Sequence, residues 1–132
     1  MSIKCRIAVN DDINCGEEHY KSIYCHYDGH ILGTGKKLID NYNNFIDACS
    51  LVNIGDINYL HCTLENTRLG HFTDMRGRES LGVLDLLDTW NTRGEEYLYV
   101  FAYGNWYVFD NKDKMFHKLK NVLNKLGGNN NE

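Results

Sequence analysis

The stretch Tyr24-Cys25-His26-Tyr27-Asp28-Gly29-His30, continuing to Gly33-Thr34-Gly35-Lys36-Lys37, gathers most of the residue types that chemistry needs. If a strand runs through it, alternation puts His26, Asp28 and His30 on one face. Two imidazoles and a carboxylate so placed could hold a transition metal or work as an acid–base pair. His61 and His71 stand far along the chain as further ligands. The plainer alternative is that His26 bonds within the fold and Asp28-Gly29 makes a turn, where both types are common. The second half carries a different chemistry. Glycines let a backbone approach a ligand, and a helix N-terminus turns free N–H groups and a positive dipole end outward. A phosphate or carboxylate could settle there, with Lys36 or Lys37 adding charge. The spacing is not a Walker A motif: it is one residue too long from Gly29, and Lys37 stands where Ser or Thr would bind magnesium. An ordinary glycine-rich capping turn is the alternative.

Arg68, Arg76 and Arg78 concentrate positive charge in an acidic chain. On a flexible loop, Arg76 and Arg78 would suit bidentate phosphate contacts; alternatively they are solvated and paired with Glu79. Glu95, Glu96 and the lysines of the last helix read as solvated surface. Nucleophilic catalysis is poorly supported, because Cys25 and His26 are strand neighbours that point opposite ways. Neither a G-x-S-x-G elbow nor an HExxH motif occurs.

The elements that must position these residues follow from periodicity. Residues 4–9 and 20–27 read as a hairpin-paired strand couple around a polar turn at 11–18. Leu38, Ile39 and Tyr42 start helical spacing after the glycine turn, and Asn44 with Asp47 caps a second helix that Gly55 ends. Residues 57–79 are the least regular, with a short strand over 59–64 and a loop holding Arg68, His71, Asp74, Arg76 and Arg78. A third helix starts at Ser80. Residues 97–103 and 106–109 flank Gly104-Asn105 as a type II′ hairpin. Its Tyr97, Tyr99, Phe101 and Tyr103 share one side, more aromatic surface than a small core needs, so this face is expected to meet a ligand or second subunit. Residues 112–126 read as an amphipathic helix through Phe116, Leu119, Val122, Leu123 and Leu126. The expected fold is α+β: a mostly antiparallel sheet with an N-terminal and a C-terminal hairpin, covered by three or four helices. Residues 1–126 form a single domain in this reading, and 127–132 a flexible Asn-rich tail.

Composition bounds the function. With 132 residues, 42% hydrophobic and 24% charged, the chain has ordinary globular usage. Its net charge of −4 argues against a protein that coats long nucleic acids. No apolar run is long enough to span a bilayer, and the residues after Met1 lack a signal peptide's apolar core. Five cysteines without a CxxC pair read as reduced, mostly buried thiols, and cytoplasm is the expected compartment. No metal or cofactor is expected.

Ile23-Tyr24-Cys25-His26-Tyr27-Asp28-Gly29, followed by Gly33-x-Gly35-Lys36 and a helix ending near Tyr42, resembles a family of small proteins encoded by bacteriophages and prophages. Leu51-x-x-Ile54-Gly55-Asp56-Ile57, Asp74 to Glu79, and Tyr103-Gly104-Asn105-Trp106-Tyr107 resemble further family segments. Tyr27 departs from the family's usual Trp, and His30-Ile31 from an aromatic-Pro pair. Small phage proteins of this size often antagonise host immunity, including by sequestering nucleotide signals. Together with the residues, the resemblance implies a non-catalytic protein that binds a nucleotide-derived immune signal in the host cytoplasm, with a homo-oligomer as the expected assembly. Tyr24, His26, Tyr27 and Asp28 would meet the base, and Gly33, Thr34, Gly35, Lys36, Arg76 and Arg78 the phosphates. The alternatives are a protein-binding inhibitor of a host defence enzyme, using the aromatic hairpin, and a metal-dependent phosphodiesterase using His26, Asp28 and His30.

Overall fold

A computed structural model describes residues 3–11, 18–69 and 76–126. The turn expected at 11–18 (but for its two ends), Cys15, His71, Asp74 and the Asn-rich tail lie outside the described residues. Seven strands form one mixed sheet: β1 (Cys5–Asn10), β2 (His19–Tyr27), β3 (Ile57–Tyr59), β4 (Arg78–Leu81), β5 (Tyr97–Ala102), β6 (Asn105–Asp110) and β7 (Met115–Lys118). Five helices accompany it: α1 (Lys36–Asn41), α2 (Phe45–Val52), α3 (Leu64–Leu69), α4 (Gly82–Thr89) and α5 (Leu119–Leu126). The fold is α+β, with both expected hairpins. The spatial order is β3-β2-β1-β5-β6-β7, and β4 shares the outer edge of β2 with β3. Two neighbour pairs, β1·β5 and β2·β3, are parallel, so the sheet is less uniformly antiparallel than alternation alone suggests.

Strand alternation divides the core in two. The first face carries Cys5, Ile7, Val9, Ile23, Cys25, Tyr99 and Phe101, packed with Leu38, Leu51 and Leu119 from α1, α2 and α5 and with Tyr42, which caps α1. The second carries Ala8, Tyr20, Leu98, Val100 and Phe109, packed with Leu86 of α4. The aromatic side of β5 is therefore core: Tyr99 and Phe101 are buried and Tyr97 half-buried against the first-face cluster. This corrects the expectation of a ligand or subunit surface there. Only Tyr103 of that set is exposed, because it has left the strand for the turn.

That turn lies one residue earlier than expected. Ala102 pairs with Asn105, and both turn residues, Tyr103 (φ 52°) and Gly104 (φ 80°), have positive φ. This is the geometry of a type I′ turn, whose twist matches the flanking strands. Two other boundaries move. Residues 115–118 pair with β6 as an extra strand, so the last helix starts at Leu119 and not Lys112. Ser80 sits within β4, paired with Tyr20, so α4 begins after it without a side-chain cap. The short strand over 59–64 is instead Ile57–Tyr59, and Arg68 rides on α3. Asn44 does cap α2, accepting from the Asp47 N–H at 2.8 Å, and Gly55 follows it at φ 96°.

Candidate functional site

Strand β2 ends at Tyr27, where its pairing with Tyr59 of β3 also ends. Asp28 then turns the chain with φ 60°, a left-handed conformation that Asp tolerates better than most residues. Gly29 fits tightly behind it, since a Cβ there would lie 2.9 Å from both the Cys5 Cβ and the Ile3 carbonyl. Its carbonyl accepts the Tyr99 hydroxyl at 2.7 Å, tying the turn to β5. Gly33 closes over Asp28: a Cβ there would stand 2.6 Å from the Asp28 carbonyl and carboxylate oxygens. The glycines thus admit the chain's own backbone and carboxylate.

The amides of the turn are also engaged. Gly33 N–H donates to the His30 Nδ1 at 2.8 Å, and both the N–H and the hydroxyl of Thr34 donate to the Asp28 carbonyl. Gly33, Thr34 and Gly35 are buried in a single wide helical turn that leads into α1. An anion at this rim would meet side chains and not those amides. The side chains are there. Asp28 lies 3.1 Å from the His30 Nε2 and 3.5 Å from the Lys37 Nζ. Lys37 reaches the Tyr59 hydroxyl, with its Nζ 3.8 Å from the ring centroid. Beyond Tyr59, the His61 ring packs edge-on at 4.8 Å. Lys36, the neighbour of Lys37, is exposed and pairs with Asp40.

The remaining expected site residues lie elsewhere. Tyr24 and His26 project from the second face, Cys25 and Tyr27 from the first. The Tyr24 hydroxyl and His26 Nδ1 are 2.7 Å apart, while the His26 ring meets Tyr27 edge-on at 4.5 Å. His26 therefore does not converge with Asp28 and His30, because the strand alternation that would align them stops at the turn. Arg76 and Arg78 are exposed, and Arg78 pairs opposite Ser22 in β4. That position is about 17 Å along the strand from Tyr27 at the usual rise per residue. The structure does not bring the arginines to the glycine turn.

Around Tyr24 is a polar cluster that sequence reading missed. Arg6 Nε donates to Glu95 Oε2 at 2.8 Å, and Arg6 Nη1 to Ser22 Oγ at 3.0 Å, with both members of the ion pair shut away from solvent. The second Glu95 oxygen accepts the Arg93 N–H at 2.7 Å. Arg93 lays its guanidinium 3.8 Å over the Tyr24 ring and donates to Asp56, whose other oxygen accepts the Tyr24 N–H. Burial first of all pushes the Tyr24 phenol up, so it stays neutral. Glu95, read from sequence as solvated, is instead the centre of this cluster; Glu96 is exposed.

The thiols are quiet. Cys5 and Cys25 face one another across β1 and β2, both buried; Cys49 is half-buried and Cys62 exposed. Burial foremost raises the Cys5 thiol, whereas the hydrogen bond with Cys5 foremost lowers that of Cys25, whose sulfur also donates to the Tyr27 carbonyl; both are shut away from solvent, so neither is placed to attack a ligand. Among the described residues, the side chains grouped closely enough to share a metal are Asp110, Asp113 and His117 at the β6–β7 turn. There desolvation, the largest single influence, raises the Asp113 carboxyl, but the 2.7 Å bond with His117, its charge and the Met115 N–H together hold it below its usual range. None of the described helices is long and apolar enough to cross a membrane. Comparison of the chain with protein-family models, curated proteins and solved structures gives no match.

Proposed function

We propose that this chain binds a small nucleotide-derived ligand at the Asp28–Lys37 rim without turning it over. The observation that carries the reading is the pairing of Tyr27 with Tyr59 on one face, with Lys37 held between Tyr59 and Asp28 and His30 beside them. Two phenol rings offer a planar ligand its flanks, and an ammonium with an imidazole offers phosphates a counter-charge. Asp28 supplies an acceptor for a base-edge N–H. Tyr24 takes no part, since its ring already carries Arg93. Mild acidity does not oppose such a site, because a local patch governs a small ligand. As a phage-encoded protein it would act by sequestration, removing an immune signal in the host cytoplasm.

Calorimetry against cyclic dinucleotides, cyclic oligonucleotides and ADP-ribose derivatives tests this. One class should bind saturably and be recovered with unchanged mass, and Tyr59→Ala should weaken it by about tenfold or more. No heat from any of them would sink the idea. A second reading, a protein-binding inhibitor, draws on the exposed Leu81 just before α4 and Leu84 within it. It requires a stoichiometric host partner in a pull-down. The metal-dependent phosphodiesterase has less support, given the divergence of His26 from Asp28 and His30.

A further inference from the structure

A cleft of about 340 Å³ opens on the second face, far from the rim, where β2, the β5–β6–β7 strands and α4 meet. Its size falls within the range of small-molecule sites. Tyr20, Tyr103, Tyr107 and Phe116 supply aromatic rings, and Val83 of α4 adds an aliphatic wall. Among the described residues, one charged side chain lines it, Glu18. The Tyr103 hydroxyl donates to the Glu18 carboxylate at 3.4 Å. Burial, then the charge of Glu18 and the nearby Tyr103, push the Tyr20 phenol up to about 12, so it stays neutral, and the Glu18 carboxylate makes this end of the cleft electronegative.

The Glu18 carboxylate and the phenol oxygens are the negative ends in the cleft's lining. The aromatic faces present their negative quadrupole to a cation. An anion would be repelled by Glu18, and a neutral apolar molecule would gain nothing from it, whereas a cation gains from both carboxylate and rings. We propose that this cleft binds a small free organic cation: an ammonium head directed at Glu18 and the tyrosines, with an apolar body against Phe116 and Val83. The site is independent of the rim and of any nucleotide ligand.

The test is an NMR titration of the full chain with choline and with its uncharged carbon isostere, 3,3-dimethylbutan-1-ol. Choline should bind saturably, shifting the resonances of Val83, Ala102 and Phe116, with an affinity about tenfold or more above the isostere. Glu18→Gln should abolish that preference. Glu18 is exposed, so the melting temperature should stay unchanged and separate lost recognition from lost folding. Tyr107→Leu, which keeps an apolar wall but removes a ring, should weaken choline more than the isostere. Equal binding of the two probes, no saturable shift from choline, or a preference that survives Glu18→Gln would each overturn the proposal. A trimethyllysine peptide that binds far more tightly than choline would overturn the assignment to a free amine and give the site to a protein partner.

Discussion

The two polar clusters beside β2 use the same residue types on opposite terms. On the second face, Arg6 and Glu95 are 1% and 0% exposed, and each strong donor or acceptor around them has a partner within the chain. At the rim, His30, Asp28 and Lys37 are 44%, 32% and 18% exposed. Their ion-pair contacts are longer, at 3.1 and 3.5 Å, and water competes for both. A closed network stabilises a single arrangement and has nothing to offer a ligand. An open one contributes little to folding, but its charges can be redirected at small cost. That contrast assigns architecture to Arg6–Glu95 and makes the rim the site proposed for binding, although both contain an acid, a base and a tyrosine.

The sharpest way to break the contrast is Glu95→Gln, which keeps the shape and leaves the Arg6 charge buried without a counter-ion. Unfolding in urea should show a loss of about 3–5 kcal/mol, and the double variant Arg6→Met/Glu95→Leu should recover part of it. A loss under 1 kcal/mol would show that water reaches the pair after all. Next is Gly33→Ala, whose new Cβ would collide with Asp28. It should cost about 1–3 kcal/mol by the same measurement and disturb the rim as well. Lys37→Ala should divide the two properties: less than about 1 kcal/mol of stability, as for a partly exposed pair, beside a tenfold or greater loss of ligand affinity. If it unfolds the protein instead, the rim is architectural too.

The smallest effect is a pH dependence at His19, which bridges Asp11 at 2.7 Å and Glu79 at 2.9 Å. The Asp11 hydrogen bond foremost raises its pKa above the usual 6.5. A raised folded-state pKa means the stabilisation is fully present below the unfolded value and is lost as pH rises through the folded one. Wild-type stability should therefore fall relative to His19→Gln as pH rises above 6.5, by less than about 1 kcal/mol because Glu79 is largely exposed.

Local patterns were legible in the sequence where the signal is local. Alternation placed β1 and β2, and the Asn44 cap and Gly55 stop bounded α2 correctly. The β5–β6 turn slipped by one residue because Gly104-Asn105 fits a type II′ turn by composition, while the observed turn puts a tyrosine at positive φ. The β7 strand was hidden because Phe116, Leu119 and Val122 keep helical spacing across its junction with α5. Of the site, the residues of the Asp28–Lys37 turn were visible, but their internal use of the glycines and amides was not. The Arg6–Glu95 pair spans 89 positions, and no local spacing announces a contact made only when β1 and β5 lie side by side.

The parallel pairing of β1 with β5 also governs when the protein can exist during its own synthesis. Cys5 finds its partner at Tyr97, so the central strand leaves the ribosome with one edge open and waits for most of the chain to follow. The β1–β2 hairpin can form early, but alone it exposes Ile7, Val9 and Ile23 to water. Contacts this distant in sequence make folding slow, and in the interval the nascent hairpin is a surface for chaperones or for another copy of itself. Arg6 can close onto Glu95 only after most of the chain has emerged, which makes their pairing a late event in biogenesis.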